Sequence, residues 1–229
     1  MNTGATSLIV INPNSSTTVT DGIDAAIAPL RQFGTPIRCL TLSDGPPGIE
    51  SQKQADLTIA PMLRLAAAQP DAAGYVIACF GDPGLHALRD QTDLPVVGIQ
   101  EAAVMTALTL GQRFGVIAIM PGSIPRHLRA FGAMGVLDRL AGDRALGLGV
   151  ADLADADKSL DAMIRTGQRL RDDDGADVLI MGCAGMAHYR ATLETETGLP
   201  VVEPCQAAVA MALGHIALKQ SHRKRHANA

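Results

Sequence analysis

Four cysteines lie at positions 39, 79, 183 and 205, and two of them end an apolar run that opens onto small residues. One run is Val76-Ile77-Ala78-Cys79-Phe80-Gly81-Asp82-Pro83-Gly84 and the other Val178-Leu179-Ile180-Met181-Gly182-Cys183-Ala184-Gly185-Met186. Their cysteines are 104 residues apart (183 minus 79). A β-branched run followed by a Gly-rich turn and a helix-forming segment reads as a βα unit of a parallel sheet, and ligands bind at the carboxyl ends of such strands. An isolated cysteine in an apolar stretch is ordinarily a small buried hydrophobe, which is the reading for Cys39 and Cys205. Cys79 and Cys183 are read as a functional pair, because each takes the same strand-end place in its own half.

Amides at a helix N-terminus lower a thiol's pKa, so a thiolate and a thiol are expected to coexist. On opposite faces of a substrate they suit inversion of a carbon acid. One sulfur removes the α-proton and the other delivers a proton to the far face. The enolate-like anion between them needs donors to its oxygen, and the N–H groups of Gly81, Asp82, Ala184, Gly185 and Met186 are candidates. Asn12 and Asn14 are candidates to orient polar ligand groups, with helix capping by Asn14 and Ser15 as the alternative. Pro121-Gly122-Ser123 either contributes to the pocket or forms only a turn. His86 and His188 follow the cysteines closely enough to tune a thiolate, with a surface position as the plainer reading. Asp82 reads as a turn former, and Glu203 as a ligand acceptor or the cap of the last helix.

The elements that must position these groups follow a repeating order. Apolar runs at 7–11, 37–42, 76–78, 94–99, 115–120 and 178–181 read as strands, and segments near 53–68, 85–90 and 101–110 as helices. Residues 43–51, rich in Gly and Pro, read as a mobile flap over a pocket. Pro13-Asn14-Ser15 matches Pro121-Gly122-Ser123, and Pro95-Val96-Val97 matches Pro200-Val201-Val202. With the cysteine pair, these collinear matches predict an α/β fold of two tandem, pseudo-symmetric domains, each a mainly parallel sheet flanked by helices with the active site in the cleft between them. The expected first domain is 1–100 plus 206–229, the last helix packing back on it, and the second is 101–205.

Composition narrows the partners. At 229 residues with 47% hydrophobic but 3% aromatic side chains and no Trp, the core must be aliphatic. A formal charge of −4 excludes nucleic acid as the main partner, which needs a concentrated positive face. A small uncharged or anionic ligand is expected instead. No stretch approaches the about 20 apolar residues of a membrane span, and the start lacks a basic region followed by an apolar one. A cytoplasmic protein with reduced thiols and no zinc site is expected, and a homo-oligomer is anticipated. The basic run at 221–226 reads as a solvated terminus.

The chain also resembles the aspartate/glutamate racemase superfamily, and within it the hydantoin and allantoin racemases. The resemblance lies in Asn12-Pro13-Asn14-Ser15, Gly45-Pro46 with Ile49-Glu50-Ser51, Cys79-Phe80-Gly81-Asp82-Pro83-Gly84 and Gly182-Cys183-Ala184-Gly185-Met186. It implies a cofactor-independent, metal-free racemase with Cys79 and Cys183 as catalytic residues. It also implies ligand contacts from Asn12, Pro121, Gly122 and the residues flanking each cysteine, Phe80, Gly81, Ala184, Gly185 and Met186. Two other readings stay open: an amino-acid (aspartate/glutamate) racemase or maleate-type isomerase, for which Arg126 is the one cation near these loops, and a non-catalytic two-domain binding protein.

Overall fold

A computed structural model of the chain describes residues 6–148 and 156–222. The first half runs β1 (Ser7–Asn12), α1 (Thr17–Ala26), β2 (Ile37–Thr41), α2 (Gln52–Ala67), β3 (Ala72–Ile77), α3 (Leu85–Gln91) and β4 (Val96–Gly98). After α4 (Ile99–Leu110), the second half runs β5 (Phe114–Ala118), α5 (Ile124–Met134), β6 (Leu140–Ala145), α6 (Ala156–Asp172), β7 (Val178–Met181), α7 (Arg190–Thr197) and β8 (Val201–Val202). The helix α8 (Pro204–Ala217) follows. Each half forms a four-stranded parallel sheet, ordered β2-β1-β3-β4 and β6-β5-β7-β8. The expected α/β class with two related halves is therefore the observed one.

Alternation along the strands explains how the sheets are covered. Successive side chains of a strand point to opposite faces, and a parallel sheet is buried on both. Leu8 and Val10 of β1 enter one core while Ile9 and Ile11 enter another. The shared core joins Val76 and Val97 of the first sheet to Val116, Val178 and Val202 of the second through the small residues Ala102, Ala103, Ala107, Ala208 and Ala212. Those alanines come from α4 and α8, which pack against each other along the seam. Each seam helix lies on the sheet of the opposite half: α8 covers β3 and β4, and α4 covers β7. Separate outer cores lie under α2 and α3 and under α6 and α7.

β6 was not evident in the sequence, and its composition says why. Leu140-Ala141-Gly142-Asp143-Arg144-Ala145 has no β-branched residue and lies half-buried at a sheet edge, where charged residues are tolerated. The segment at 43–51 covers a pocket but is held at several points. Ser15 N–H donates to Pro46 O (2.9 Å), Arg126 reaches Glu50 O (3.1 Å), and Gly45 packs where a Cβ would stand 2.6 Å from Pro13 O. Of the basic run, residues 223–226 lie outside the described residues. His222 itself docks, its Nε2 accepting from Val96 N–H (3.1 Å) and its N–H donating to Asp93 O (2.9 Å). Among the described residues no helix is long and apolar enough to cross a membrane.

Candidate active site

β3 and β7 are the equivalent central strands of the two sheets, and each cysteine stands two residues beyond its strand. Gly182 lets β7 end against β5, since a Cβ there would stand 2.6 Å from Ile117 O. Both cysteines open into one inner cavity of about 30 Å³. Phe80 on one side, and Ala184 and Gly185 on the other, complete its floor, while Asn14, Val19 and Ile49 close it from the first half. Ser123, Arg126 and His127 close it from α5 and the turn before it. A larger outer cleft of about 330 Å³ lies beyond a wall shared with the inner cavity, made of Ile49, Cys79, Phe80 and Arg126.

Burial dominates the electrostatics of both thiols. It pushes Cys79 well above the ordinary thiol value, helped by the nearby Cys183 and Asp82 and opposed by Arg126. It pushes Cys183 up to about 11, opposed by the Gly185 N–H, which donates to Cys183 Sγ at 3.4 Å. The sequence expectation of a thiol acidified toward neutrality is thus corrected: both thiols are raised. Short turns supply too few amide dipoles to offset desolvation.

The other sequence-selected residues divide. Phe80, Ala184 and Gly185 line the inner cavity with the two cysteines. Asn12 does not: it is 1% exposed, and its Nδ2 is within hydrogen-bonding distance of Asn14 Oδ1 (2.9 Å), Ser16 O (3.1 Å) and Thr20 Oγ1 (3.1 Å). It winds the loop that presents Asn14. Ser16, rather than Asn14 or Ser15, caps α1, its Oγ accepting from Val19 N–H (3.3 Å). Met186 is turned fully into the outer core of the second half by the 3₁₀ turn Ala184–Tyr189. Gly81 faces the outer cleft, and Pro121 and Gly122 are exposed beside the cavity rather than in it.

Of the expected oxyanion donors, the N–H groups of Gly185, Met186 and Asp82 are engaged by Cys183 Sγ, Cys183 O and Cys79 O. The N–H groups of Ala184 and Gly81 have no acceptor among the described residues. His86 and His188 are both exposed, the latter against the Tyr189 ring, and neither lines the cavity.

Two carboxylates stand behind the cysteines, each at the start of a seam helix. Glu203 caps α8, accepting from Cys205 N–H (3.0 Å) and Gln206 N–H (2.6 Å). Asp82, in left-handed backbone at φ 47°, is more than a turn former. Its two oxygens accept from Gln100 N–H and Glu101 N–H (both 2.9 Å) and cap α4. Burial raises both acids against these donors, Asp82 to about 7.

His127 carries no signal at the level of sequence. It is 2% exposed, its Nδ1 lies 2.8 Å from Asp143 Oδ2, and the Phe80 ring meets it edge-on at 4.9 Å. Only the pairing of β5 with β6 and the course of α5 bring the two residues together, and no spacing rule joins positions 127 and 143. Among the described residues no cluster of His, Cys, Asp or Glu is built to hold a metal ion.

Known proteins share both sequence and geometry with this chain. A hydantoin racemase of Paenarthrobacter aurescens is 36% identical over 92% of this chain and 91% of its own. The structure of an allantoin racemase from Klebsiella pneumoniae superposes with a TM-score of 0.86 at 30% identity, covering 97% of this chain and 92% of that one. An allantoin racemase from Pseudomonas fluorescens does so with a TM-score of 0.89 at 28% identity, covering 96% and 94%. The family model described as Asp/Glu/Hydantoin racemase matches residues 8–212, and the chain belongs to that family.

Proposed function

We propose that the protein is a racemase of 5-substituted hydantoins or of allantoin, working by proton transfer between Cys79 and Cys183 at the chiral carbon. The observation that carries this reading is one cavity into which both sulfurs open from equivalent strand ends of opposite halves. In one direction a thiolate takes the C–H proton, the electron pair passes to the adjacent carbonyl oxygen, and the other thiol protonates the opposite face. The reverse direction exchanges the two roles. Cys183, with a thiol at about 11 and a bond from Gly185 N–H, is the better holder of the negative charge. The Ala184 N–H is the donor best placed for the enolate oxygen.

The inner cavity is far smaller than the about 150 Å³ of an engineered pocket that admits benzene. In this reading a substrate ring enters from the outer cleft as Ile49, Phe80 and Arg126 part. A free dicarboxylate suits the site less well, because Arg126 is the one Lys or Arg lining the cavity among the described residues. Its Nη1 already donates to Glu50 O and Gly122 O, and its Nη2 to Ser123 Oγ. The test is incubation with enantiopure 5-substituted hydantoins and enantiopure allantoin in D₂O. Loss of optical rotation with deuterium entry at the chiral carbon is expected. No exchange above background, or faster turnover of aspartate or maleate, overturns the reading.

A further inference from the structure

We propose that His127, fixed by Asp143, is the acceptor for a ring N–H of the bound substrate, so that the cavity selects cyclic amides and ureides over esters and free acids. The inference rests on the cleft being the substrate site. It begins with Asp143, whose side chain is 2% exposed and whose Oδ1 has no partner among the described residues. Its Oδ2 accepts from His127 Nδ1, at 2.8 Å. An ionised carboxylate only accepts, so the proton of this bond lies on Nδ1, and in the neutral imidazole the ring's other nitrogen presents a lone pair.

His127 Nε2 has no hydrogen-bond partner among the described residues, and the ring lines the cavity. Phe80 meets it edge-on at an interplanar angle of 78°, and Phe131 lies 6.1 Å away. Held by Asp143 and between two aromatic rings, the imidazole has little freedom to turn. Of the other polar lining, Asn14 Oδ1 already accepts from Asn12 Nδ2 and Ser16 N–H, and Ser123 Oγ from Arg126 Nη2, while the Arg126 guanidinium, two thiols and the Ala184 N–H offer donors. A ligand N–H buried here without an acceptor would lose its bond to water unreplaced, which weakens binding. The Nε2 lone pair answers that need. It does so from α5 of the second half while touching Phe80, the neighbour of Cys79 in the first.

The test uses 5,5-dimethylhydantoin, which has no C–H at the reacting carbon and binds without turning over, with its 1-methyl and 3-methyl derivatives. Calorimetry on the wild-type protein is expected to show one N-methyl isomer bound about tenfold more weakly than the parent, as for loss of one hydrogen bond. His127→Phe is expected to weaken the parent by a similar factor and to add nothing for that isomer. A merely structural histidine would weaken all three ligands alike.

Asp143→Asn keeps an acceptor for Nδ1–H and should retain the discrimination, whereas Asp143→Leu should lose it. ¹⁵N NMR of the wild-type protein, which needs no variant, should show Nε2 unprotonated when free and shifted on ligand addition. Independent, additive losses, harmless N-methylation of both positions, a protonated Nε2, or no binding of the parent compound would each overturn the proposal. Tight, N–H-selective binding without any racemisation would leave it standing and reject the proposed function instead.

Discussion

The two cysteine loops occupy equivalent places in equivalent sheets, yet they are built differently. The Cys79 loop passes through left-handed backbone at Gly81 (φ 116°), Asp82 (φ 47°) and Gly84 (φ 72°). That path sends the Asp82 carboxylate across to the start of α4, where Gly98 leaves room for it. The Cys183 loop instead closes at once into a 3₁₀ turn, and its sulfur accepts a bond from Gly185 N–H. The acid of that half comes from the helix itself, at Glu203. Both halves thus place a buried carboxylate at the head of a seam helix, but from different points of the chain. The result is two inequivalent thiols, Cys79 pushed further up than Cys183. Repetition of the sheet fixes where the sulfurs stand, and the loops decide how each one titrates.

The sharpest way to break the comparison is to remove one sulfur at a time. Cys79→Ser and Cys183→Ser should each lower racemisation by about 10²–10⁴, the usual cost of losing a catalytic base. Each variant should keep slow deuterium exchange with the enantiomer whose C–H faces the remaining thiol, and lose it with the other. NMR on separate enantiomers checks this. Equal residual exchange of both enantiomers in both variants would mean that one base reaches both faces.

Next in size is Gly98→Ala. A Cβ at position 98 would stand 2.2 Å from Asp82 Cγ, so the carboxylate must leave and two amides of α4 lose their cap. Eviction of a buried acid and loss of two bonds should cost about 3 kcal/mol in urea unfolding. The equivalent position in the second half already carries the side chain of Glu203. A change below about 0.5 kcal/mol at Gly98 would show that Asp82 is not what holds the helix start.

Asp82→Asn probes the same acid through pH. The folded pKa of about 7 lies above the unfolded value of about 3.9. The contribution of the protonated acid is therefore fully present below about pH 4 and lost as pH rises through 7. Because the Asp82 residue is half-buried and not fully enclosed, that loss is on the order of 2 kcal/mol, from 1.36 kcal/mol per unit with a discount for solvent. Urea titrations at pH 5 and pH 8 should show the stability of the variant gaining on wild type at the higher pH. A gap that does not change with pH would remove Asp82 as the titrating group.

These residues also show what a sequence can disclose. The strands ending in Cys79 and Cys183 were legible because a buried parallel strand is a continuous apolar run and the fold repeats it at 104 residues. Asp82 read only as a turn former, because its partners lie 18 and 19 residues on and the fit depends on the missing side chain of Gly98. Asn12 read as a ligand contact, although a tight loop engages its amide internally. Met186 read as a ligand contact beside Cys183, but its N–H is taken by Cys183 O and its side chain packs into the outer core. His127 and Asp143 gave no signal, since an edge strand without β-branched residues positions one and an amphipathic helix the other.

The smallest effect separates the two sulfurs directly. Alkylation by iodoacetamide requires the thiolate, so below both pKa values the more acidic thiol reacts faster. Its lower intrinsic nucleophilicity reduces the advantage to about threefold for each pKa unit between them. Access works in the opposite sense, because Cys79 borders both the inner cavity and the outer cleft while Cys183 borders only the inner cavity. If acidity governs, peptide mass spectrometry after brief treatment at pH 8 will find Cys183 modified first, by about threefold or more. If Cys79 leads, access outweighs acidity, and the assignment of Cys183 as the better holder of the negative charge fails. Repeating the reaction with Arg126→Met sharpens the result: Arg126 lowers the Cys79 pKa, so its removal should slow Cys79 and widen the ratio.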